Sequence, residues 1–154
     1  MNHQLVKVYE SRKNQAEEEC RIIAAKIRLN KDYTQHKVLK NTFMRYKHEM
    51  ERNERLIDKA KARLVESTLD CDPIKGIIAH FSMIRNIMEK KGKDTMEVDF
   101  ILKSVREGNY QGASLCIAYF NVESCRDELE ETSMYLHSNS WYRVKHYYFK
   151  ILLK

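Results

Sequence analysis

LKNTFMRYKHEMERNERLIDKAKARL, residues 39–64, is the stretch that decides the fold. Leu39, Phe43, Tyr46, Met50, Asn53, Ile57, Ala60 and Leu64 follow one another in the alternating steps of four and three that mark a coiled-coil seam. The stretch lies in a run of 72 residues that contains no glycine and no proline and carries 28 Asp, Glu, Lys and Arg. A folded segment so long and so charged has almost no option but helix. Its pattern says that the chain makes contacts along helices. Asn53 stands inside the seam: buried there, it would cost stability and fix register and oligomeric state, whereas in an interrupted seam it would face water.

Working toward the N-terminus, an earlier register runs through Tyr9, Ala16, Cys20, Ile23 and Ile27. It does not join the later one by steps of three and four, and the mismatch falls in residues 29–34, where Asn30 and Asp32 are turn or cap residues. The segment is therefore a rod or a helical hairpin. As a rod it would reach roughly 100 Å at about 1.5 Å per residue. As a hairpin its halves would pack on each other. The rod is preferred, since a break with neither Gly nor Pro is unusual.

Toward the C-terminus the punctuation changes. Asp72-Pro73 is an N-cap with proline at the first helical position, and Ile74, Ile77, Ile78, Phe81, Ile84 and Met88 then mark a wide apolar stripe. Lys90-Lys91-Gly92 closes that helix. Asp94-Thr95-Met96-Glu97 reads as a capping box opening a short helix with Val98, Ile101, Leu102 and Val105 inside, closed by Gly108. A longer helix from about Tyr110 to His137 is expected to bury Leu115, Ala118, Tyr119, Val122, Cys125, Leu129 and Leu136. After the loop Ser138-Asn139-Ser140, with Ser140 as cap, Trp141 to Lys154 reads as helix with Trp141, Val144, Tyr148 and Ile151 on one side. Its density of aromatic residues leaves strand as the alternative.

The expected architecture is all-α: a long N-terminal coiled-coil arm, residues 1–70, followed by a small helical bundle of about four helices, residues 71–154. With 43% hydrophobic residues there is enough to build a core, and apolar residues are spread too evenly for disorder. No apolar run is long enough to span a membrane, and the opening MNHQLVKVYE lacks the apolar centre of a secretory signal. Cys20, Cys71, Cys116 and Cys125 show no CxxC or zinc spacing. Cys20, Cys116 and Cys125 read as reduced core thiols, so the expected compartment is cytoplasm or nucleus.

Net charge is +6, unevenly placed: residues 93–138 carry nine acidic against four basic side chains, and residues 139–154 carry four basic and none acidic. Opposite patches can pair internally, so the overall charge is a weak argument for nucleic acid. No phosphate-binding loop, dinucleotide fingerprint, nucleophile elbow or HExxH is present, and the six histidines are scattered. Neither catalysis, nor a cofactor, nor a metal site is expected. Glu107-Gly108-Asn109-Tyr110-Gln111-Gly112-Ala113, leading into Leu115-Cys116, resembles a helix-turn-helix phrase found in coiled-coil subunits of vesicle-tethering complexes. The resemblance covers about a dozen of 154 residues. Any tight turn between packed helices favours the same residues.

Two candidate interaction surfaces follow. The first is the seam Leu39, Phe43, Tyr46, Met50, Asn53, Ile57 and Leu64, which would join a protein partner or a second copy. The second is the tail, where Trp141, Tyr148 and neighbouring aromatics interleave with Arg143, Lys145 and Lys150. That composition suits stacking on bases with phosphate neutralisation, an anionic membrane surface, or a core seal with solvated lysines. The favoured reading is a non-enzymatic helical interaction or scaffold protein. The alternative is a basic helical protein that binds nucleic acid or a ribonucleoprotein through the tail.

Overall fold

The computed structural model describes residues 2–30, 33–136 and 140–154. Helix accounts for 87% of them, and no strand is present among them. Asp32, His137, Ser138 and Asn139, which the sequence placed in turns or at a helix end, lie outside the described residues. The chain divides into two units, Met1–Ala60 and Lys61–Lys154. The division falls within a helix rather than at Asp72-Pro73, because Ala62, Val65 and Leu69 already belong to the second unit's core.

The first unit contains α1 (Asn2–Leu29) and most of α2 (Tyr33–Cys71). The first helix runs to Leu29 and the next begins at Tyr33, with Asn30 outside both. Asparagine competes with the backbone for hydrogen bonds and can end a helix without Gly or Pro. The Asn30 N–H still reaches the Lys26 carbonyl at 2.9 Å, while its side-chain amide donates to Gln35 Oε1 at 3.2 Å. Lys26 and Arg28 occupy the last turn of α1, where the helix dipole favours cations.

The second unit holds the rest of α2, then α3 (Pro73–Lys90), α4 (Met96–Arg106), α5 (Tyr110–Tyr119), a 3₁₀ turn (Phe120–Val122), α6 (Arg126–Ser133) and α7 (Trp141–Leu152). Asp72 caps α3 by accepting from the Lys75 N–H, and Ser140 caps α7 by accepting from the Arg143 N–H. Gly92 and Gly108 adopt φ of 70° and 79°, the left-handed conformation that ends α3 and α4. The capping box at 94–97 takes another form. Thr95 is the N-cap and makes no side-chain cap bond; Asp94 Oδ1 accepts from the Met96 N–H at 2.9 Å, and Thr95 donates to Asp99 instead.

One contiguous core runs from Ala62 to Leu152, with Ile77, Phe81, Ile84, Ile101, Ile117, Phe120, Leu129, Trp141 and Tyr148 among its buried side chains. Gly76 lets α3 approach α2: a Cβ built there would lie 2.5 Å from the Leu69 side chain and 2.7 Å from its Cα. The tail is helix, not strand, and it closes this core through Trp141, Val144, Tyr148 and Leu152.

The long helix expected over 110–137 is broken. Buried positions run Ala113, Ile117 and Phe120, and the next step of four would reach Ser124, which is exposed; Cys125, Leu129, Thr132 and Leu136 are buried instead. A straight helix cannot aim both sets at one core. The 3₁₀ turn and an extended Glu123 (ψ −164°) absorb the change of face. The correction reaches the packing. Leu115, Tyr119 and Val122, expected inside, are 62%, 67% and 82% exposed, while α5 buries Ala113, Ser114 and Ile117 on its opposite face.

Candidate interaction surfaces

Contacts between α1 and α2 within the first unit ascend one helix as they descend the other. Val6 and Tyr9 cluster with Ile57 and Ala60; Lys13 Nζ pairs with Glu54 Oε1 at 3.1 Å; the Cys20 thiol donates weakly to the Phe43 carbonyl at 3.9 Å. Burial along the seam is graded. Asn53 and Ile57 are buried, whereas Leu39, Phe43, Tyr46 and Met50 are only half-buried, as is Leu64 in the second unit. Asn53 donates its side-chain amide to the Glu49 carbonyl at 2.9 Å, satisfying one of its groups within its own helix. Outside the seam, Ile22, Leu29, Val38 and Met44 are exposed.

The tail residues separate into two groups. Trp141 and Tyr148 are inside the core, where Trp141 meets Phe81 edge-on at 6.2 Å, so neither can stack on a ligand. Arg143 and Lys150 are exposed and Lys145 is half-buried, its ammonium 5.8 Å from the Tyr142 ring. None of Arg143, Lys145, Lys150 and Lys154 takes part in an ion pair among the described residues.

Between α5 and α7 lies an open apolar groove of about 360 Å³, lined by Gln111, Ser114, Leu115, Ala118, Phe149 and Leu153. A second cleft of about 240 Å³ is lined by Glu66, Leu69, Asp70, Leu136, Val144, Tyr147 and Tyr148.

Two buried polar groups escaped the sequence reading. His80 is fully buried, with Nδ1 2.7 Å from the Tyr148 hydroxyl and Nε2 2.9 Å from Thr132 Oγ1. Thr132 gives its single hydroxyl proton to the Glu128 carbonyl at 2.8 Å, so it accepts from His80 Nε2–H, and the Tyr148 O–H donates to Nδ1. The ring is thus neutral and fully partnered. Burial pushes its pKa down to about 3 and pushes the Tyr148 phenol well up. Glu128 is also fully buried, with Oε1 2.7 Å from Lys93 Nζ and 3.3 Å from Lys91 Nζ, while Oε2 has no hydrogen-bond partner in another described residue. Burial pushes its carboxyl up, but the Lys93 bond, its backbone and Lys91 outweigh that and hold it below the usual carboxylate value. The Cys125 thiol is pushed up to about 12, chiefly by burial, and is inert. All four cysteines are free: Cys125 is buried, Cys20 and Cys116 half-buried, Cys71 exposed.

His80 is partnered within the fold by Tyr148 and Thr132, Glu128 rests against Lys93 and Lys91, and Tyr148 borders the cleft of about 240 Å³. Among the described residues no three His, Cys, Asp or Glu side chains converge as metal ligands, and no helix is long and apolar enough to cross a membrane. The described residues present a partly covered seam and an apolar groove beside a basic helix that makes no ion pair among them. Comparison with protein-family models, with curated proteins and with solved structures found no match to this chain.

Proposed function

We propose that this chain is a non-enzymatic α-helical interaction protein, a subunit of a multiprotein assembly or a homo-oligomer. Its N-terminal arm is a coiled-coil hairpin whose seam receives a helix from a partner or a second copy. The bundle of residues 61–154 supplies a second docking surface. The observation that carries this reading is the graded burial of the seam. The seam is buried at Ile57 and Ala60, which meet Val6 and Tyr9, whereas Leu39, Phe43, Tyr46 and Met50 keep part of their surface uncovered over three turns. Apolar surface in heptad register that its own hairpin does not cover is what a third helix would bury. The nucleic-acid alternative is the weaker, because two of its stacking residues are in the core.

The test replaces Phe43 and Met50 together with Glu. Both are partly buried and lie away from the Val6–Ile57–Ala60 cluster, and circular dichroism should show the variant's helix content unchanged. By light scattering, the wild-type chain should show a mass above 18.4 kDa that rises with concentration, and the double variant should show 18.4 kDa. Wild type and variant behaving alike at every concentration would remove self-association through the seam.

A further inference from the structure

Residues 110–122, YQGASLCIAYFNV, contain no charged side chain, and they are apolar on two opposite faces. A helix that is apolar all round belongs in an interior. Here one face, through Ala113, Ile117 and Phe120, is in the core, and the other, through Leu115, Tyr119 and Val122, is bare. Three large apolar residues on one stripe, each more than 60% exposed, exceed the scattered exposure that folded proteins normally tolerate. The stripe borders the groove whose far wall is Phe149 of α7 and Leu153 just after it. Tyr142 stands on that same edge of α7 at helical spacing from both, and it too is exposed.

Charge decides what covers this face. The groove has no acidic lining residue, and its end beside Gly108–Gln111 is bordered by Lys154. Lys145 lies one turn before Phe149 on the groove edge, and Lys150 and Arg143 continue around the outer side of α7. Residues 139–154 contain no acidic side chain, and these four cations have no ion-pair partner among the described residues. A second copy packed groove to groove across a two-fold axis would set these cations against each other. A helix with an apolar stripe and carboxylates along its flank would satisfy both features at once. The 12 residues of α7 span about 18 Å, so about three turns of partner helix would fill the groove.

We propose that the α5–α7 groove docks an acidic amphipathic helix of a partner protein, its apolar stripe on Leu115, Ala118, Phe149 and Leu153 and its carboxylates on Lys145 and Lys154. This deepens the reading of the bundle as a second docking surface and does not depend on the arm.

The experiment uses the full chain and two synthetic amphipathic peptides of about three turns with the same leucine stripe, one flanked by Glu and one by Lys. Binding is followed by fluorescence anisotropy and by amide chemical-shift mapping. The Glu peptide should bind, shift the amides of residues 111–122 and 145–154, and weaken as salt is raised. Leu115→Glu and, separately, Lys145→Glu with Lys154→Glu should each cost about tenfold or more in affinity. Since Leu115 is exposed, its variant should melt like wild type; if it does not, Leu153→Asp serves in its place. Equal binding of the Lys peptide, or shifts confined to other residues, would overturn the proposal. So would phosphatidylserine vesicles that sediment the chain in a Leu115-dependent way while the Glu peptide fails, or a dimer that Leu115→Glu dissociates. The Phe43/Met50 double variant should bind the Glu peptide normally, so loss of the groove and loss of the arm's assembly are read separately.

Discussion

Acidification should destabilise the bundle of residues 61–154 before general carboxylate protonation sets in, because the neutral His80 ring cannot take up a proton and keep its partners. Its pKa lies near 6.5 in an unfolded chain and at about 3 in the fold. The unfolded state therefore binds the proton first, and the stability that the neutral ring contributes is complete above pH 6.5 and lost as pH falls toward 3. At 1.36 kcal/mol per tenfold change in proton activity, the loss is about 2 kcal/mol at pH 5 and about 3 kcal/mol at pH 4. Glu128 adds to it at the acid end. Its pKa is held below the usual value, so its contribution is present at neutral pH and disappears as pH falls below about 4.5. The assay is urea unfolding at a series of pH values, followed by fluorescence of Trp141, the single tryptophan, buried and 6.4 Å from the His80 ring. A loss of 2 kcal/mol is a large part of the stability of a domain this size. His80→Leu should be less stable at pH 7, since it strands Thr132 and Tyr148, but its stability should stay level between pH 7 and pH 5. Equal wild-type stability at pH 7 and pH 5, or an unchanged slope in the variant, would refute the reasoning.

Other substitutions probe the remaining contacts. Gly76→Ala gains helix propensity yet should destabilise by about 1–3 kcal/mol in thermal or urea unfolding, because the new methyl meets Leu69 at 2.5 Å and backbone at 2.7 Å. Ending the chain after Ser140 removes Trp141, Val144, Tyr148 and Leu152 from the core, each worth about 1.5–3 kcal/mol, and should leave a species that binds a hydrophobic dye and aggregates. Lys93→Ala takes the nearer ammonium from Glu128 and should cost about 1–3 kcal/mol at pH 7, with Glu128→Gln recovering part of the loss in the same unfolding assay.

Helix content and most of its punctuation were legible because their causes are local. Asp72, Ser140, Gly92 and Gly108 act within three or four residues of where they stand, and the caps they form are the ones their types suggest. The stripes of α3 and α4 were legible for the same reason, since the regular run of aliphatic residues in each marks one buried face. Residues 110–122 defeated the same method. Apolar residues occupy both faces, so periodicity offered Leu115, Tyr119 and Val122 as readily as Ala113, Ile117 and Phe120, and packing chose the second set. The break that follows left little mark, because Asn121 and Ser124 are tolerated inside helices and only the shift of buried face from Phe120 to Cys125 requires a turn. The end of α1 at Leu29 coincides with the change of register seen near Asn30, where no Gly or Pro marks it. His80 could not be read at all: its partners lie 52 and 68 residues away. Within the tail, Trp141 and Lys145 looked alike as interaction residues until the helix phase placed one in the core and the other at the groove edge.

The most direct measurement of the central claim is the mass of the particle that the untagged chain, detected by antibody, forms in a native cell extract, compared between wild type and the Phe43→Glu/Met50→Glu variant. The wild-type chain should run in a particle larger than its own 18.4 kDa, and the variant, with its bundle still folded by Trp141 fluorescence, should run at 18.4 kDa. A wild-type chain at 18.4 kDa both in extract and when purified, or a variant in the same particle as wild type, would contradict it.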